Sequence, residues 1–269
     1  MCLLVLAYGV DPQRPVVLAA NRDELYARPS AALAVWPDEP EICAGRDLSQ
    51  GGTWLGLTRH GRFAALTNFR RGGARAGARS RGDVVLEYLR SPLSPERYVT
   101  QLADYADQFG GFSVIVGDLE HEPYYFSNQG NVSQRLAPGL YGLSNQSLDE
   151  PWPKVTRAKQ RIGALVKTAA SAEALCDAMD DRDQPLDALL PDTGIGIERE
   201  RVLAPIFIAS ESYGTRAVTA LLIDSERRAL IYERSYGPHG RYLADARCEL
   251  TLTSLPLTDP GGRYRRHQT

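Results

Sequence analysis

The strongest constraint on this chain is its opening. Two short apolar runs, Cys2–Tyr8 and Val16–Ala20, are joined by the turn-forming stretch Asp11-Pro12-Gln13-Arg14. Continuous apolar runs of this length suit strands that are covered on both faces. A hairpin that needs cover on both sides demands layers above and below it. With its turn centred near Pro12-Gln13, opposing residues carry numbers adding to about 25. Cys2 then lies opposite Asp23, to within about two residues. The charged knot Arg22-Asp23-Glu24 therefore falls at the same end of the hairpin as the first residues of the chain.

Further along, "TWLGLT" and "RFAALTN" flank Arg59-His60-Gly61 as a second hairpin. Helices are expected over Gly82–Arg90 and in "SPERYVTQLADYADQF", where Ser94 is the N-cap and Pro95 the first helical residue. "GFSVIVGD", "PYYFSN" and "GLYGLSN" return to strand, and "WPKVTRAKQRIGALVKTA" is amphipathic and helical. Ser171 caps a short helix, "AEALCDAM". "TRAVTALLID" and "RALIYERSY" form a hairpin, and "RCELTLTSL" is a late strand. Strands, then helices, then strands again predict two sheets packed together with helices outside, in a single domain spanning residues 1–269.

Composition narrows the function. A net charge of −2 argues against a dedicated nucleic-acid binder. The four cysteines, Cys2, Cys43, Cys176 and Cys248, show no CxxC spacing, and the four histidines form no ligand pair, so no metal site is expected. The first apolar run is too short to span a membrane and lacks the flanks of a signal peptide, which predicts a cytoplasmic protein.

Cys2 is the candidate reacting group. Removal of Met1 would leave it with a thiol and a free α-amine, whose pKa values lie near ~8.5 and ~7.7–8.0. The amine can then serve as general base for its own side chain. An adjacent Arg22 would favour thiolate, and Asp23 could hold the ammonium. A second-position cysteine and a solvated strand-end turn are the bland alternatives.

Several stretches resemble one family. "MCLLVLAYG", "AANRDE" with its following "ARPS", "AGRDLSQGGTWLGLT", "ALTNFR", "GLSNQSLDEPWPKV" and "ESYGTRAVTALLI" are similar to the NRDE family, over roughly Met1 to Tyr236. That family is similar in turn to N-terminal nucleophile (Ntn) hydrolases of the choloylglycine hydrolase and penicillin V acylase type. The resemblance implies an α+β, four-layer αββα sandwich of two antiparallel sheets. It also implies Cys2 as nucleophile, Asp23 as the acid contacting its amine, and Asn68 and Asn145 as oxyanion donors. Neutral amides suit that role because they stabilise developing charge. The relatives' catalytic arginine corresponds to Ala20 here, so Arg22 is the candidate to replace it, and Arg216 is the best match to their later arginine.

Arg70, Arg71, Arg75, Arg79 and Arg81 crowd together just after Asn68. Such a cluster is either a solvated loop or a lid for an acidic ligand, since guanidinium grips carboxylate and phosphate in bidentate fashion. Arg70, Arg71, Arg216 and Trp54 are accordingly candidate substrate-binding residues, Trp54 as core or pocket wall. Two functions remain open. One is an Ntn-type amidohydrolase or acyltransferase acting on a non-peptide C–N bond through a Cys2 thioester, with no cofactor. The other is a non-catalytic binding or carrier protein for a hydrophobic acid such as an acyl-coenzyme A or haem, tied by the resemblance to Golgi organisation and lipid or haem handling.

Overall fold

The computed structural model describes residues 3–73 and 77–254, so Cys2 and Arg75 lie outside the described residues. The chain opens with β1 (Leu3–Asp11) and β2 (Arg14–Leu25). Asp11 closes their turn: its carboxylate accepts from the Gln13 N–H at 2.9 Å and from Arg14 Nε at 2.9 Å. Leu3 opposes Asn21 and Tyr8 opposes Val16, one residue tighter than a uniform count from the turn predicts. A bulge between Tyr8 and Asp11 takes up the difference. It contains Gly9 at φ +62°, a conformation that favours glycine.

Next come β3 (Ser30–Val35), β4 (Ile42–Asp47), β5 (Leu55–Thr58) and β6 (Phe63–Asn68). Two helices follow, α1 (Arg81–Arg90) and α2 (Pro95–Ala103), the second capped by Ser94, whose Oγ accepts from the Arg97 N–H at 3.4 Å. Then come β7 (Phe112–Gly117), β8 (Tyr124–Ser127), β9 (Val132–Arg135) and β10 (Gly139–Leu143). The last part holds α3 (Pro153–Lys167), α4 (Ala172–Met179), α5 (Ile197–Leu203), β11 (Tyr213–Ile223), β12 (Arg228–Gly237) and β13 (Arg241–Thr251).

One antiparallel sheet runs β10-β1-β2-β11-β12-β13, and the other runs β3-β4-β5-β6-β7-β8-β9. The apolar opening now has its explanation. Leu4, Leu6, Val16, Leu18 and Ala20 join Leu55, Leu57, Phe63 and Ile115 between the sheets. The alternate residues Leu3, Val5, Ala7, Val17 and Ala19 pack instead under Val155, Ala158, Ile162, Leu175 and Met179 of α3 and α4. A third core places α1 and α2 on the outer face of the second sheet, around Tyr88, Tyr98 and Phe112. The result is helix, sheet, sheet, helix.

The elements β3, β4, β9 and α5 are ones the sequence reading did not predict. All four residues of β9 are exposed, so it carries no apolar run; β3, SAALAV, is apolar but is an edge strand with only Leu33 buried.

Candidate functional site

Consecutive residues of a strand point to opposite faces. At the end of β2 this separates the knot into two environments. Asn21 faces the helices, where its Nδ2 donates to the carbonyls of Met179 at 3.0 Å and Ile206 at 2.7 Å. Asp23 is buried, and its Oδ1 accepts from Thr215 Oγ1 at 2.7 Å. The same hydroxyl accepts from the Ile208 N–H at 2.9 Å. Arg22, between them, turns toward the opposite sheet. Its guanidinium lies 4.0 Å over the Trp54 ring and donates to Ser30 Oγ at 3.3 Å. Burial pulls its pKa below the usual value.

Arg22 and Trp54 form part of a cleft of about 650 Å³. The cleft opens where β2, β4 and β6 end and where β5, β7 and α1 begin, at one end of the sandwich. Its wall carries four arginines, Arg22, Arg28, Arg79 and Arg81, against two carboxylates, Glu24 and Asp47. Arg28 is held by Asp47 at 2.6 Å and by Glu24 at 3.8 Å. Arg79 pairs with Glu87, and with Asp83 at 3.6 Å. Arg81 donates to the Gly111 carbonyl at 3.3 Å. Trp54, Leu66 and Phe69 supply the apolar surface. Gly52 lets the wall close: a Cβ there would meet the Gly82 carbonyl carbon at 2.7 Å.

Asn68 ends β6 and lines this cleft. Asn145 is buried behind it and is not among the lining residues. Its Nδ2 donates to the Asn68 carbonyl at 2.8 Å, and its Oδ1 accepts from Arg70 Nη2 at 2.9 Å. Arg70 also pairs with Glu200 at 2.9 Å, and Glu200 accepts from the Thr193 N–H at 3.0 Å. Thus Asn68 and Asn145 meet through the backbone of one and the side chain of the other. Arg70 braces that contact from behind, facing Trp152 rather than the cleft.

The remaining candidates are spread out. Arg71 is exposed on a neighbouring groove of about 530 Å³. Arg216 donates to the carbonyls of Arg28 and, at 3.3 Å, of Leu25, bracing the loop after β2 from outside the cleft. Two features escaped the sequence reading. Glu200 lies in "IERERVL", which looks like a solvated helical turn, and Arg28 joins the loop after β2 to Asp47 at the end of β4, nineteen residues on. Among the described residues no group of three His, Cys, Asp or Glu side chains is placed to hold a metal ion. No helix among them is long and apolar enough to cross a membrane.

Two antiparallel sheets face to face, helices on both outer sides and a polar cleft at one end define an Ntn-hydrolase-like αββα protein. A Caenorhabditis elegans N-acylethanolamine-hydrolyzing acid amidase ortholog shares the fold, with a TM-score of 0.52, 12% identity, and coverage of 82% of this chain and 92% of that one. The chain belongs to the Transport and Golgi organisation 2 family, whose model matches residues 1–238. The Transport and Golgi organization protein 2 homolog of Bos taurus is 34% identical over 264 residues, covering 87% of this chain and 93% of its own. Transport and Golgi organization protein 2 of Drosophila melanogaster is 28% identical over 276 residues, covering 90% and 95%.

Proposed function

We propose that this chain is a binding or carrier protein for a small amphiphilic acid of the acyl-coenzyme A class, held in the cleft beside Arg22. The lining of that cleft carries the reading: four arginines against two carboxylates, with Trp54, Leu66 and Phe69 offering an apolar surface. A volume of about 650 Å³ is of the size that ordinary small-molecule sites have. The described lining residues include no His, Met, Cys or Tyr, so they offer no axial ligand to haem iron. An acyl compound therefore fits better than haem. Cargo of lipid origin would also suit relatives named for transport and Golgi organisation. Isothermal titration with palmitoyl-coenzyme A, coenzyme A and palmitate tests it. Saturable binding of the acyl compounds supports the proposal; no heat from any of them refutes it.

A second reading is favoured by one observation. Asp23, a buried carboxylate held by Thr215, sits at the end of β2, whose partner β1 begins at Leu3, the residue bonded to Cys2. Under this reading Met1 is removed and the Cys2 thiolate attacks an acyl carbonyl. The α-amine takes and returns the proton, with Asp23 orienting it, and Asn68 donates to the oxyanion. Amine leaves, and water or an acceptor cleaves the thioester. Intact mass before and after limiting iodoacetamide tests the nucleophile. Retained Met1 with an unlabelled Cys2 excludes it, and Cys2→Ala should abolish turnover of an acyl amide while sparing binding.

A further inference from the structure

Residues of one strand that face the same side are two positions apart. On β13, Ala246, Cys248 and Leu250 pack against the core between the two sheets. On β4, Ile42 and Ala44 belong to the outer core under α1 and α2, and Cys43 between them belongs to the inner one. The two cysteines therefore meet across the gap between the sheets, one from each. The Cys43 thiol donates a hydrogen bond to the Cys248 sulfur, and no disulfide joins them here. Cys43 is 1% exposed, whereas Cys248 is half-buried. The hydrogen bond from Cys43, helped by the positive charge of Arg59, draws the Cys248 thiol below its ordinary pKa despite its partial burial. Cys248 is thus the sulfur that solvent reaches and the one that ionises more readily. Cys176 has no access to this pair. It sits in the core on the other face of the first sheet, with its thiol on the Val218 carbonyl at 3.6 Å.

We propose that Cys43 and Cys248 form a reversible disulfide between the two sheets when the protein meets a hydroperoxide. The Cys248 thiolate attacks a peroxide oxygen; an S–O bond forms, the O–O bond breaks, and Cys248 becomes a sulfenic acid. The Cys43 thiol then attacks that sulfur and gives up its proton; an S–S bond forms, the S–O bond breaks, and water leaves. Two thiols lose two electrons and two protons, and one hydrogen peroxide becomes two waters. A small thiol returns the pair to its reduced form by exchange. The bond ties β13, an edge strand hydrogen-bonded within its sheet to β12 alone, to β4 of the opposite sheet. Because the linked positions are far apart in sequence, the bond restricts the unfolded chain strongly, so the oxidised form resists unfolding. This assignment is independent of the ligand proposed for the cleft.

The test treats the reduced full chain in native buffer with one equivalent of hydrogen peroxide, blocks the remaining thiols with iodoacetamide and maps the digest by mass. The intact chain should lose two hydrogens, and the Cys43–Cys248 link should exceed every other pairing at least about tenfold. In urea, where the sheets no longer hold the sulfurs together, that preference should fall to within about threefold. Cys43→Ser should leave Cys248 as a sulfenic acid that dimedone traps, and Cys248→Ser should leave Cys43 reduced. Oxidation should raise the wild-type melting midpoint by about 5 °C or more, and dithiothreitol should reverse the rise. The wild-type map decides the matter even if either variant fails to fold. A Cys248 sulfinic acid beside an unlinked Cys43 overturns the assignment. So does a dominant link to Cys2, to Cys176 or to a second chain, a preference that survives in urea, or a midpoint that falls on oxidation.

Discussion

Arg70→Met should destabilise the fold sharply, although Arg70 was a candidate ligand contact by sequence. The Arg70 side chain is 9% exposed and its partner Glu200 2%, with 2.9 Å between them. Removing the guanidinium strands a buried carboxylate, which costs about 3–5 kcal/mol for a pair of this kind. In a chain near this size each kcal/mol lowers the melting midpoint by about 2–4 °C, so the fall is roughly 6–20 °C. Asn145 Oδ1 also loses its 2.9 Å bond from Arg70, which loosens the contact holding Asn145 against the Asn68 carbonyl. The partner change repairs most of the damage. In Arg70→Met/Glu200→Gln no charge is buried, and a glutamine can still accept from Thr193. The double variant should recover more than half the loss, read by calorimetry as a double-mutant cycle. An Arg70→Met chain within about 1 kcal/mol of wild type, or a double variant no better than the single, refutes this account of the pair.

Glu233 gives a pH prediction. Burial pushes its folded-state pKa above the ordinary carboxylate value. Its favourable contribution is therefore complete below the unfolded value of about 4.3 and is lost as pH rises through the folded value. Glu233→Gln should melt higher than wild type at pH 7, with the gap closing toward pH 4; a lower melting point at pH 7 sinks the argument. The cysteines give a labelling prediction. Cys43 hydrogen-bonds the Cys248 sulfur, which draws the Cys248 thiol below its ordinary pKa and pushes Cys43 up. Burial pushes Cys176 up to about 12. Of these three, half-buried Cys248 should take iodoacetamide first in the native protein, and mapped adducts at Cys43 or Cys176 ahead of it would contradict that order.

The layered fold was legible because β1 and β2 are apolar on both faces, and only packing between helices and a second sheet satisfies both. Turn and cap chemistry at Asp11, Ser94 and Ser171 was equally local, and the side-chain bonds are there. What could not be read was long-range pairing. Five arginines after Asn68 look alike in sequence. Arg70 turns back to a glutamate 130 residues on, whereas Arg79 and Arg81 reach the cleft from the start of α1. Two of the four edge strands, β10 and β13, were expected, whereas β3 and β9 were missed. β9 is polar and fully exposed, and β3 is largely alanine with only Leu33 buried, so both hold their places through partners that local pattern does not reveal.

The two readings of the cleft can be separated because Arg22 and Asp23 are neighbours in sequence but not in surroundings. Arg22 faces Trp54 and the cleft, while Asp23 faces Thr215 and the loop at Ile208. A binding protein needs the first residue and not the charge of the second. Asp23→Asn can keep the hydrogen bond from Thr215, because the amide oxygen still accepts, while it removes the negative charge and turns the other oxygen into an NH2 donor. Under the binding reading this variant keeps its affinity for laurate within about threefold, while Arg22→Met loses it. Under the thioester reading an α-amine at Cys2 depends on that charge. Asp23→Asn then cuts turnover of an acyl amide by about a hundredfold or more, with affinity intact. Loss of laurate affinity in Asp23→Asn equal to that in Arg22→Met would show the two faces acting as one site, against the separation that β2 imposes on them.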